Sequence, residues 1–142
     1  MWPHLLFFTD RVPDGFAGVT NGPVIQIRPT HRDDVGLLMH ELEHVRQFWL
    51  FGLFGVGVAL ALFWAALPPL QAAAAALAGM ALHPVLYRLV PRYRLWAEVQ
   101  AYVQQLAQPG RLTIELAAEF IATQYRLDVS YASALRLLRK EL

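Results

Sequence analysis

The first part of the chain alternates short apolar runs with turn residues. Leu5-Leu6-Phe7-Phe8 and Val24-Ile25-Gln26-Ile27 have strand composition. Between them, Pro13-Asp14-Gly15 and Asn21-Gly22-Pro23 carry turn chemistry. The pattern predicts a small antiparallel sheet, with an irregular N-terminal lid as the alternative. From Thr30 the period becomes helical. Thr30 and Asp33 form a weak capping box, and Asp34 also favours the positive end of a helix dipole. Val35, Leu38, Leu42 and Val45 recur at helical spacing and predict a buried stripe, which leaves His40, Glu41 and His44 on other faces.

Nothing in the sequence ends this helix after His44. Between Arg46 and Arg88 there is no Asp, Glu, Lys or Arg. Residues 48–67 form an uncharged run of about 20 residues, enough at ~1.5 Å per residue to cross ~30 Å of hydrocarbon. Pro68-Pro69 breaks it, and Leu70 to Tyr87 is a second uncharged stretch interrupted by Pro84. Gly57, Ala61 and Ala65 fall at four-residue intervals, as do Ala75 and Gly79, a spacing that lets membrane helices approach closely. The two stretches predict a hydrophobic helical hairpin at about 48–87 with its tip at Pro68-Pro69-Leu70-Gln71. A hairpin buried in a soluble oligomer is the alternative. Beyond it, the helical pattern resumes from Tyr93 to Gln108, with Leu95, Val99, Tyr102, Val103 and Leu106 on an apolar side. Pro109-Gly110 closes that helix, residues 112–125 are amphipathic, and Ser130 is placed to cap a last helix. The expected fold is α+β and mainly α, a single domain over 1–142.

Composition sharpens this picture in three ways. Hydrophobic residues make up 56% and charged residues 16%, against about a quarter charged in an ordinary soluble domain. The flanking charges orient the hairpin: Arg28, Arg32 and Arg46 precede it, Arg88, Arg92 and Arg94 follow it, and its tip has none. By the positive-inside rule both ends are then cytoplasmic, with Trp49 and Trp64 as interfacial anchors. A net charge of +1 argues against a nucleic-acid partner. The absence of cysteine excludes thiolate zinc sites, disulfides and thiol catalysis. Ser130 and Ser133 are the only serines and neither sits in a Gly-x-Ser-x-Gly context, so a serine hydrolase has no support. Met1 to His4 lacks a basic side chain and Leu5–Phe8 is too short for a signal-peptide core.

The candidate chemistry lies in His40-Glu41-Leu42-Glu43-His44. On a helix, histidines four residues apart project from one face, which suits two ligands of Zn²⁺, and the glutamate after the first can act as general base. A third ligand must come from elsewhere. Glu98, the single acidic residue between Glu43 and Glu115, lies on the helix that follows the hairpin, and the hairpin returns the chain to the membrane face it left. A carboxylate in so apolar a segment needs a partner, either the metal or an arginine such as Arg46 or Arg94. His83 is the next candidate ligand. Glu43 is expected to point away from the ligand face, either supporting the ligands from behind or facing solvent, Gln47 to hydrogen-bond across the site, and Tyr102 to donate to a developing oxyanion or simply to pack.

These residues carry a resemblance. His40-Glu41-Leu42-Glu43-His44-Val45-Arg46-Gln47, with Glu98-Val99-Gln100-Ala101-Tyr102, resembles the small zincin-like metallopeptidases of gluzincin type, especially short bacterial and phage versions. It covers roughly residues 23–105. The resemblance implies His40, His44 and Glu98 as zinc ligands and Glu41 as the base that activates water. The hydrophobic hairpin and the short N-terminal sheet depart from soluble members. The sequence thus supports a membrane-associated zinc-dependent peptide or amide hydrolase with a bilayer, a peptide substrate and a homo-oligomer or larger assembly as partners. A zinc-clamped structural protein, such as a virion or membrane-complex component, is the second expectation. A metal-free, holin-like or anchoring hairpin is the third.

Overall fold

A computed structural model describes residues 2–65, 68–110, 112–125 and 127–142. Three short strands, β1 (Leu5–Phe8), β2 (Gly18–Asn21) and β3 (Val24–Ile27), form a sheet of order β1-β3-β2. The sheet is mixed rather than antiparallel: β1 runs parallel to β3, and β2 pairs antiparallel to it. The turn chemistry at Asn21-Gly22-Pro23 therefore joins β2 to β3 in a hairpin of two loop residues, and Gly22 takes φ +60° there. β2 is missing from the expectation because Gly18-Val19-Thr20-Asn21 offers little apolar signal. Its place at the sheet edge matters for the site.

A 3₁₀ turn at Pro29–His31 precedes the first α-helix, α1 (Val35–Trp64). The helix starts later than Thr30, because Asp34 rather than Thr30 caps it, its side chain accepting from the Leu37 N–H at 2.9 Å. Ile25, Ile27, Leu37 and Val45 are buried together, with Leu38, Leu42 and Trp49 packed on them, so the sheet covers one side of the first turns of α1. Val35 is half exposed and drops out of the expected stripe.

Beyond Phe48 the helix is apolar on all sides, as a membrane span or an oligomer core requires. α2 (Pro69–Leu89) runs back along it and passes through Pro84 without ending. Pro68 caps α2, so Leu70 and Gln71 belong to its first turn rather than to the hairpin tip; residues 66 and 67, at the end of the expected first apolar run, lie outside the described residues. The close approach uses a different glycine from the one expected. A Cβ on Gly55 would lie 2.6 Å from the Gly79 Cα, whereas Gly57 faces open space. Leu53, Phe54, Leu60, Phe63 and Leu77 are exposed, which separates this hairpin from the buried core helices of a compact soluble monomer. Two helices long and apolar enough to cross a bilayer, with only about a fifth of each apolar stretch buried, support membrane association.

α3 (Pro91–Leu106), α4 (Ile114–Thr123) and α5 (Tyr131–Glu141) complete the chain. Thr113 and Ser130 cap α4 and α5. Val99 and Tyr102 of α3 meet Ala117, Ala118 and Ile121 of α4 and Leu138 of α5 in a second core. The motif turns of α1 lie between the two cores, held by the sheet on one side and α3 on the other.

Candidate metal centre

His40, Glu41 and His44 occupy adjacent turns of α1 and all three are buried. Their burial in an otherwise apolar packing needs a polar counterpart, and α3 supplies one. Glu98 is fully buried, with Oε2 3.5 Å from His40 Nε2 and Oε1 3.5 Å from His44 Nε2. The three ligand atoms of His40, His44 and Glu98 lie within 4.8 Å of one another, a cluster that can hold a metal ion. Glu98 Oε2 and His40 Nδ1 are buried with no hydrogen-bond partner, so the carboxylate has bonding capacity left in the direction of the histidines. Donor set and orphaned oxygen both fit zinc, which takes imidazole and carboxylate ligands. This pair of motif histidines with a downstream glutamate is the triad typical of gluzincin metallopeptidases, and it matches a zinc-dependent hydrolase site placed beside membrane-length helices.

The three groups are electrostatically coupled. Burial works against charge on Glu98, yet His44 and His40 beside it hold its carboxyl below the usual carboxylate range. Burial likewise opposes charge on His40, which precedes the apolar span, but the Glu98 carboxylate outweighs it and raises the imidazole above its ordinary value. Neither arginine suggested as a partner reaches Glu98. Arg46 makes a two-pronged ion pair with Glu43, at 2.7 and 2.6 Å. Arg94 donates instead to the carbonyls of Tyr87, Arg88 and Tyr125, tying the α2–α3 junction to the loop after α4.

The supporting residues are equally specific. Gln47 accepts from His44 Nδ1 at 3.1 Å, which fixes the ring with Nε2 turned towards Glu98. Its amide donates to the Ala97 carbonyl at 3.2 Å, so Gln47 links the motif helix to the turn of α3 that carries Glu98. The expectation of a hydrogen bond across the site is met. Glu43 is buried, and it holds Arg46 and Gln47 rather than facing solvent. His83 stands apart from the triad, bonded through Nδ1 to the Tyr93 hydroxyl at 2.6 Å.

Four contributors were not legible in the sequence. The Tyr87 hydroxyl, on α2, donates to Glu98 Oε1. Thr20 of β2 donates to Glu41 Oε2 at 2.7 Å. Gly18 makes room for the same carboxylate, since a Cβ there would lie 2.7 Å from Glu41 Oε1. Tyr125 hydrogen-bonds Tyr102 at 3.1 Å between the hydroxyls, and the Tyr102 ring packs edge-on against His40. Burial pushes both phenols up, so they remain protonated donors.

Clefts open on both sides of the motif and share His40, Glu41, Gly18, Phe16 and Tyr125. One, of about 760 Å³, runs towards the 3₁₀ turn and α4; the other, of about 410 Å³, runs towards α2. Arg28 braces their shared rim by donating to the carbonyls of Val12, Pro13 and Phe16. No family model, curated protein or solved structure matches the chain, so its chemistry is inferred from this geometry.

Proposed function

We propose that the protein is a membrane-associated zinc hydrolase of peptide or amide bonds, with its site on the cytoplasmic face. The observation that carries this is the convergence of His40, His44 and Glu98 beside a second, differently held carboxylate, Glu41. His40, His44 and Glu98 would hold the metal, which when bound supplies Lewis acidity to a scissile carbonyl and its attacking water. Among the described residues no fourth histidine or carboxylate joins the three, which favours an open catalytic position over a closed structural clamp.

The remaining steps belong to the side chains. Thr20 occupies Oε2 of Glu41, so Oε1, turned towards Gly18 and the clefts, is the oxygen available to a proton. Glu41 takes the proton of the attacking water and passes it to the leaving nitrogen. Tyr102 and Tyr125, two coupled hydroxyls lining a cleft next to His40, supply a donor to the developing oxyanion. The orientation follows from Arg46 before the hairpin and Arg88, Arg92 and Arg94 after it. Residues 1–142 act as one domain in this account.

Replacing Glu41 with Gln keeps a side chain of the same shape at Thr20 but removes the base. Hydrolysis of a fluorogenic peptide mixture should fall at least ~100-fold, while zinc content stays at the wild-type value. Retained turnover in that variant would refute the mechanism.

A further inference from the structure

The hairpin forms one wall of the reaction cleft. His83, Pro84, Tyr87 and Arg88, from the last turns of α2, line one cleft together with Thr20, Asn21 and Gly22 and with His40, Glu41, His44 and Glu98. A site meant for soluble peptides has no need of a wall made from a membrane-length helix.

The strand that shares this cleft has a direction. Gly18 lies against the Glu41 carboxylate, Thr20 bonds it, and Gly22 lies against the Phe48 ring, where a Cβ would be 3.4 Å away. β2 therefore runs beside α1 in the same sense, from the catalytic turn towards the start of the apolar span. It is an edge strand, since β3 pairs with one side of it only, and its residues line the cleft consecutively from Gly18 to Gly22. A free strand edge presents backbone donors and acceptors that an extended chain can pair with.

We infer, resting on the hydrolase reading above, that the substrate is the cytoplasmic juxtamembrane segment of a second membrane-inserted polypeptide. Such a segment leaves the bilayer beside Val85 and Leu89, which are exposed on α2, enters between α2 and Gly22, and lies along β2 towards Glu41. A peptide is favoured over an amide-linked lipid because one cleft wall is strand backbone rather than an apolar tunnel. The geometry also sets where the cut falls. From His44 to Phe48 α1 climbs ~6 Å, a distance covered by about two extended residues. Allowing for the interface, scission falls within about five residues of the substrate's span.

The test uses wild-type protein and its Glu41→Gln variant, reconstituted with zinc in phosphatidylcholine vesicles. The first substrate is an alanine–leucine spanning peptide with a polar tail of mixed sequence, with cut positions read by mass spectrometry. In a second version a Gly/Ser segment separates span and tail; the free tail, casein and an N-acyl amide lipid complete the set. The inference expects cuts by the wild type alone, at a fixed short distance from the span in both anchored versions. It also expects the free tail to be cut at least ~10-fold more slowly. Cuts that move outward with the tail, or a free tail cut as fast as the anchored one, would overturn it. So would cleavage of casein or the N-acyl lipid with the anchored peptides intact, and either result leaves the hydrolase standing. No cleavage of any substrate by zinc-loaded protein removes the hydrolase reading and this inference with it.

Discussion

Glu41 and Glu98 are two glutamates buried within one site, and their neighbours give them different tasks. Glu98 faces two imidazoles and a phenol, all of which favour its charged form. Glu41 instead has one oxygen fixed by Thr20 and the other beside Gly18. Gly18→Ala tests that division. The added methyl meets the end of a flexible side chain rather than backbone, so the fold survives but the carboxylate must shift. Since small misplacements of a catalytic group are costly, kcat should drop by about tenfold or more with zinc content unchanged; an unaltered kcat would show that the position of Glu41 is not critical. At this scale the sequence was legible where spacing dictates geometry. His40 and His44 share a face because they are four apart, and Glu98 stood out as a lone acid in an apolar segment. Thr20, Tyr87 and Tyr125 were not legible, because ordinary polar residues become site residues only through contacts across 21, 11 and 23 positions.

Among the elements, the long α1 and the hairpin partner α2 were expected from charge-free length, and the three later helices from periodicity and caps. The details that failed were those that need a partner to define them. Gly57 and Gly55 look alike in sequence, and only the rotation of α1 against α2 decides which one faces Gly79. A substitution pair makes this measurable. Gly55→Leu would drive a side chain into the Gly79 backbone and should destabilise the hairpin by ~1–3 kcal/mol. Gly57→Leu enters open space and should leave stability near wild type or above it, since glycine is a weak helix former. Unfolding in detergent, followed by circular dichroism, separates the two; equal destabilisation would contradict the packing. The parallel pairing of β1 with β3 and the existence of β2 were hidden for the same reason: four-residue strands take their partners from the sheet.

For the whole molecule, the hairpin does two jobs. It presents exposed apolar surface of membrane-crossing length, and it brings α3 back so that Glu98 meets the histidines of α1. The absence of native cysteine makes the resulting topology testable with single introduced thiols. In sealed vesicles of known orientation, Gln71→Cys at the start of α2 and Ala107→Cys after α3 should label from opposite sides with a membrane-impermeant maleimide. Labelling of both from one side would contradict a crossing hairpin. That this return path builds a zinc site can be read from the metal content of the purified protein. Wild type should carry about one zinc per chain, as a His₂Glu site requires, and His40→Ala purified alongside it little or none. Equal zinc in the two proteins would rule that site out.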